Sequence, residues 1–206
     1  MRILPLPVGP LEANCYIVWE DSTPAVVIDP GGQPDVILTE LVNRGLTLSV
    51  ILLTHAHFDH ILAAPALQEE SGAPVWIHRL DADGVKKPLG PLALSPNRPP
   101  NDLRLLEDGQ VLTVGTLPFS IRHTPGHSPG SCCIVCQNAI FSGDTLFSGD
   151  IGRVDLPGGS PSDMRRTLAD IAAWTGEYDV YPGHGESTAL AREQRSNPYL
   201  QPPYNL

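Results

Sequence analysis

The sequence predicts an α/β (α+β) fold: an αββα four-layer sandwich, with two sheets packed together and helices outside. Three observations lead there. The 206 residues suit one domain with a sizeable core, expected over residues 1–206. Hydrophobic residues at 41% and charged residues at 17% are a globular composition rather than a disordered one. The chain also repeats a coarse rhythm, strands and then helix, twice, and each half carries ligand-type side chains at strand ends.

The elements follow in order. Ile3–Leu6 and Cys15–Glu20 read as strands around a turn at Gly9-Pro10, and Ala25–Ile28 as a third, ending in Asp29-Pro30-Gly31-Gly32. A helix opens at Pro34, with Asp35 favourable to its dipole, Val36, Ile37, Leu38, Leu41 and Val42 as its apolar face, and Gly45 as its stop. Val50–Leu53 is short, continuous and partly β-branched, the pattern of a buried strand. A helix over Ile61–Glu70 ends near Gly72, with Pro65 complicating its start, and Val75–His78 is another strand. Lys86–Pro100 is rich in proline and has no clean period; a lid over a site and a solvated connector are both open readings. Strands return at Val111–Val114, Phe119–His123, Cys132–Cys136 and Ala139–Phe141. Ser160 then caps a helix with Pro161 at its first position and Met164, Leu168, Ile171 and Ala172 on its apolar face. Val180–Tyr181 is a last strand and Ser187–Arg195 a last helix.

Chemistry concentrates directly after Val50–Leu53, where His55, His57, Asp59 and His60 fall within six residues. In extended backbone, positions i, i+2 and i+4 share a side, so His55, His57 and Asp59 point together, and the chain must turn to aim His60 at the same place. Imidazole and carboxylate together suit zinc, iron or manganese better than calcium or magnesium. A structural zinc site would favour cysteines, and this cluster has none.

Composition narrows the classes. The net charge of −10 argues against a general nucleic-acid or anionic-membrane surface. Pro5, Pro7 and Pro10 stand where a secretion signal would need an apolar core, and no apolar run has the length of a membrane span. Cys132, Cys133 and Cys136 crowd one apolar segment and form no disulfide framework; they read as small buried hydrophobes, in a cytoplasmic protein with reduced thiols.

Further candidates sit in glycine-rich turns, which permit close backbone approach: His127 within Pro125-Gly126-His127-Ser128-Pro129-Gly130, Asp144 within Ser142-Gly143-Asp144-Thr145, and His184 within Pro182-Gly183-His184-Gly185. His78 and His123 read as ordinary hydrogen-bonded histidines.

The ordered set His-x-His-x-Asp-His, Gly-His-Ser, Ser-Gly-Asp-Thr and a final Gly-His resembles the metallo-β-lactamase superfamily. Gly9-Pro10-Leu11-Glu12-Ala13-Asn14-Cys15-Tyr16, Asp29-Pro30-Gly31-Gly32 and Gly143-Asp144-Thr145-Leu146-Phe147 through Gly152-Arg153-Val154-Asp155 look more narrowly like its type II glyoxalase (hydroxyacylglutathione hydrolase) branch. The resemblance implies a centre of two divalent ions, zinc first, with iron or manganese allowed. His55, His57 and His127 would hold one ion, Asp59, His60 and His184 the other, and Asp144 would bridge them. Two such ions about 3.5–4 Å apart can share a hydroxide, a nucleophile at neutral pH. Asp59, ionised as a ligand, would be a poor general acid, which favours a thioester, with its ready thiolate leaving group, over an amide. Asp29 would orient the ligands from behind, or serve only as a turn residue. Arg153 would touch substrate or pair with Asp155.

The implied activity is hydrolysis of a small-molecule thioester of the acyl-glutathione type, with no nucleic-acid or membrane partner. The alternative is a mononuclear iron persulfide dioxygenase, whose motifs are similar; there His55, His127 and Asp144 alone would bind the metal. Only Gly185–Leu206 follows the last ligand, so the C-terminal helical domain of larger type II glyoxalases is expected to be missing, and with it part of their glutathione site. Lys86, Lys87 and Arg98 are the other basic candidates.

Overall fold

The computed structural model describes residues 1–21, 24–86 and 99–203. Arg2–Val8 (β1) and Ala13–Trp19 (β2) form an antiparallel hairpin, and Ala25–Ile28 (β3) adds antiparallel to β2. Leu48–Leu53 (β4), Val75–His78 (β5) and Leu103–Leu106 (β6) then add in parallel, completing a six-stranded sheet in sequence order. Parallel pairing needs crossovers. Pro34–Asn43 (α1) carries the chain from β3 to β4, and Phe58–Ile61 (α2) with Ala64–Ser71 (α3) from β4 to β5. Ala82–Lys86 (α4) follows β5.

The second sheet is also six-stranded. Val111–Val114 (β7), Leu117–His123 (β8), Cys132–Cys136 (β9) and Ala139–Gly143 (β10) form an antiparallel meander. Pro161–Ala172 (α5) crosses to Asp179–Pro182 (β11), parallel to β10, and Thr188–Ala189 (β12) pairs antiparallel at the edge before Leu190–Ser196 (α6).

Strand alternation sorts the apolar side chains into three layers. Tyr16, Val18, Ile28 and Leu52 of the first sheet meet Phe119, Ile121, Ile134 and Phe141 of the second between the sheets. Val27, Ile51 and Leu53 face outward onto Ile37 and Leu41 of α1 and Leu67 of α3. Cys133, Val135 and Ile140 face outward onto Met164, Leu168 and Ile171 of α5. Both faces of each sheet are therefore covered, which is why β3, β9 and the Val50–Leu53 part of β4 read as unbroken apolar runs. Each fully buried large side chain contributes roughly 1.5–3 kcal/mol.

Most expected elements stand within a residue or two of their places, and Ser160 caps α5 by accepting from the Asp163 amide at 3.2 Å. Two expected helices differ. The helix expected over Ile61–Glu70 is two, α2 and α3, broken at Leu62–Ala63, with Pro65 in the first turn of α3, where a missing amide costs nothing. The helix expected from Ser187 begins only at Leu190, because Thr188 and Ala189 complete the sheet edge. Strand β6 and helix α4 were not expected: β6 is short and flanked by charge, and α4 is barely one turn long. Of Lys86–Pro100, residues 87–98, with Lys87 and Arg98, lie outside the described residues. Among the described residues no helix is long and apolar enough to cross a membrane.

The cysteines are core residues. Cys132 and Cys136 point between the sheets and Cys133 points under α5, so Cys133 and Cys136 face opposite sides of one strand and cannot chelate a common ion. All four are free and buried, and burial pushes Cys133 and Cys136 up to about 11. The native protein at pH 8 should therefore leave all four thiols unreacted over minutes with a thiol-specific chromogenic disulfide and expose all four in denaturant. Rapid native reaction of any one would contradict this packing.

Candidate metal centre

Parallel strands deliver the site. The C-terminal ends of β3, β4, β10 and β11 carry Asp29, the segment from His55 to His60, Asp144 and His184, and the crevice beyond parallel strand ends is where α/β sheets collect ligands. The turn between β8 and β9 adds His127. The two sheets are tied together at this end. The Asn14 amide donates to Gly183 O at 2.7 Å, the Cys132 amide to Thr54 O at 3.0 Å, and the Tyr16 hydroxyl to Pro182 O at 2.6 Å.

Seven side chains converge there. His55, His57 and His127 form one group with their ligand atoms within 4.8 Å of one another, and Asp59, His60 and His184 form another. Asp144 lies between them: one carboxylate oxygen is 3.4 Å from His60 Nε2, the other 3.4 Å from His127 Nε2 and 3.8 Å from His184 Nε2. All seven residues singled out in sequence are thus brought together. Gly183 is required by this crowding, since a Cβ there would stand 2.7 Å from His60 Cε1 and closer still to Asp144 Oδ1.

The cluster fits a bound cation. His55 Nε2, His60 Nε2 and Asp144 Oδ1 are buried and have no hydrogen-bond partner, although an unmade buried hydrogen bond costs about 1–3 kcal/mol. All three atoms face the common centre, and the nitrogens behind them are engaged. Thr54 Oγ1 donates to Asp29 and so accepts from His55 Nδ1 at 3.0 Å; Asp29 Oδ2 accepts from His60 Nδ1 at 3.0 Å; Arg153 O accepts from His127 Nδ1 at 2.7 Å. Those bonds leave the opposite ring nitrogens of His55, His60 and His127 with lone pairs directed inward, the arrangement of metal-binding imidazoles.

The electrostatics match. Burial, helped by neighbouring imidazoles, holds His55 well below its ordinary value and His57 at about 4, so both are neutral. Burial alone would also lower His60, but the Asp144, Asp29 and Asp59 carboxylates outweigh it and raise the ring to about 9, so the proton they favour on Nε2 is the one a bound cation would displace, freeing that lone pair. Burial would raise Asp59, yet its hydrogen bond with His184 and the nearby His60 ring bring it down to about 2.

Asp29 settles as an orienting residue. It is buried near His55 and His60, and both its oxygens are engaged by hydrogen bonds, from the Thr54 amide at 2.7 Å, from Thr54 Oγ1 at 2.6 Å and from His60, so its place is behind the ligands. It is also a turn residue, at φ +50°. Arg153 is exposed and bound at both ends of its fork to Asp155, at 2.7 and 2.8 Å. His78 and His123 stack on each other, centroids 4.1 Å apart, outside the ligand groups; His123 Nε2 donates to Pro129 O at 2.9 Å as expected, whereas His78 Nδ1 is buried without a partner among the described residues, contrary to expectation.

Asp81 was not singled out in sequence. This buried carboxylate accepts from the Ala56 amide at 3.1 Å, the Ser128 hydroxyl at 2.6 Å and the Gly130 amide at 2.6 Å. It thereby joins the residue between His55 and His57 to the residues beside His127, across the two sheets. Its one signal is an acidic residue three positions past an apolar strand, which is too common to find it.

The description "Metallo-beta-lactamase superfamily" matches residues 8–184. The hydroxyacylglutathione hydrolase GloC of Haemophilus influenzae is 32% identical over 97% of this chain and 98% of its own. The structure of TTHA1623 in a di-iron-bound form is 39% identical with a TM-score of 0.85, over 95% and 99% of the two chains. That of ETHE1 from Myxococcus xanthus is 29% identical with a TM-score of 0.81, over 97% and 84%.

Asp81→Asn keeps the volume but turns an N–H toward donors. The variant should stay folded by circular dichroism and lose about 10- to 100-fold in divalent-metal affinity, measured by chelator competition. Wild-type affinity would contradict the clamp.

Proposed function

Because the chain belongs to the metallo-beta-lactamase superfamily, a family of metallo-hydrolases, we propose that it hydrolyses thioesters of the acyl-glutathione type with two divalent metal ions. His55, His57 and His127 would hold one ion and Asp59, His60 and His184 the other. The observation that carries the reading is the place of Asp144, whose carboxylate stands between the triads, one oxygen near His60 and the other between His127 and His184. Zinc suits this nitrogen-and-oxygen donor set, as do iron and manganese.

Bound there, the ions would supply Lewis acidity, bringing water toward ionisation at neutral pH and polarising a carbonyl oxygen. The rest of the work falls to the chain. Asp29 and Thr54 hold His60 and His55 in the tautomers that face inward, and the Arg153 carbonyl does the same for His127. Water adds oxygen to the acyl carbon, the carbon–sulfur bond breaks, and the products are an acid and a thiol. Asp59, held at about 2, has no proton to give a leaving group at neutral pH. A thiolate leaves without one and an amide nitrogen does not, which supports a thioester substrate. GloC, which carries a hydroxyacylglutathione hydrolase name, supports the same class.

The resemblance of these motifs to those of mononuclear iron persulfide dioxygenases keeps iron-dependent persulfide oxidation as the reading to be distinguished. Elemental analysis of the purified protein should find about two divalent ions per chain, and the loaded protein should release thiol from lactoylglutathione. Asp144→Asn should stay folded while losing one ion and most activity. A single tightly held iron, with dioxygen consumed on glutathione persulfide, would replace hydrolysis by the dioxygenase reading.

A further inference from the structure

The crevice over the ligand cluster has a volume of about 780 Å³. Its floor is the metal-facing side chains, and its walls are apolar: Leu11, Phe58, Phe147, Ile151, Leu156 and Pro157. Leu11 stands at the rim, 53% exposed, a large apolar side chain left to water. Phe147 packs edge-on toward His184, centroids 6.2 Å apart, so the wall continues directly from the reacting centre.

The part of this wall carried by Phe147 and Ile151 is held in place by the protein itself. The Phe147 amide donates to Asp150 O at 3.0 Å, the Gly149 amide to Glu193 at 2.8 Å, and Asn197 Nδ2 to Asp150 O at 3.1 Å, with Glu193 and Asn197 both buried. The same loop ends on His127 through the Arg153 carbonyl. Among the described residues Arg153 is the one lysine or arginine lining the crevice, and Asp155 already takes both ends of its fork. A glutathione moiety, with two carboxylates, finds little here to pair with, whereas an alkyl chain finds a preformed apolar surface.

We propose that the wall of Leu11, Phe58, Phe147, Ile151, Leu156 and Pro157 takes the acyl chain. On that footing the enzyme selects thioesters of apolar acyl groups over small polar ones such as lactoyl. The inference rests on the thioesterase reading above. The thiol arm, polar in the common cellular carriers, leaves through the open side.

The test uses metal-loaded protein and N-acetylcysteamine thioesters from acetyl to octanoyl. Between butanoyl and octanoyl, kcat/KM should rise about two- to four-fold per methylene, mostly through KM. Octanoyl should exceed lactoylglutathione, and Phe147→Ala and Leu156→Ser should each flatten the slope. A flat or falling series, a ten-fold preference for lactoylglutathione, or an unaltered slope in both variants would overturn the assignment. Calorimetric titration with butanoate, hexanoate and octanoate separates this from the reaction itself. If no thioester is turned over, the thioesterase reading fails, and the carboxylates alone decide the wall. Affinity rising with length, and lost in the two variants, supports an apolar-chain site, and equal affinities overturn it.

Discussion

Three buried ligand atoms with nothing to bond are the constraint around which this protein is built. His55 Nε2, His60 Nε2 and Asp144 Oδ1 converge at the end of the sandwich where the parallel strands β3, β4, β10 and β11 finish. Left to themselves such atoms would cost several kcal/mol together. They are tolerated because a cation would satisfy all of them at once, and because every group behind them is already committed. The packed layers on either side supply the stability that holds these atoms in place.

Two buried carboxylates hold the arrangement, one behind each side. Asp29, at the end of β3, fixes Thr54 and His60 and accepts the strain of a left-handed backbone to do so, roughly 1 kcal/mol or more for a non-glycine residue. Asp81, in the turn before α4, fixes the Ala56 amide and the loop that bears His127. The first acts within one sheet's loops and the second across both. The loop from Phe147 to Pro157 then serves two purposes: its Arg153 carbonyl sets the His127 ring, and its apolar side chains face the crevice.

The site was more legible in the sequence than its support. Histidines and aspartates at strand ends, flanked by glycines, carry their chemistry on their face: the HxHxDH run, Gly126-His127, Gly143-Asp144 and Gly183-His184 could all be picked out before any contact was known. The layer order was legible too, because strands covered on both faces read as continuous apolar runs. What stayed hidden depends on long-range contact. Asp81 matters only because Ser128, 47 positions away, reaches it. Strand β12 exists only because β11 offers an edge to Thr188 and Ala189, overriding the helical pattern that begins at Ser187. At the break between α2 and α3 the Ala63 amide bonds to Pro30 O at 2.9 Å, a long-range contact that Pro65 alone does not reveal.

The central claim is that Asp144 stands between two metal positions, one in each triad. Anomalous scattering from crystals of the metal-loaded protein, recorded at the absorption edge of the bound metal, tests it most directly. Two peaks are expected, one within His55, His57 and His127 and the other within Asp59, His60 and His184, with Asp144 between them. A single peak in one triad, with the other three side chains still hydrogen-bonded among themselves, would contradict it.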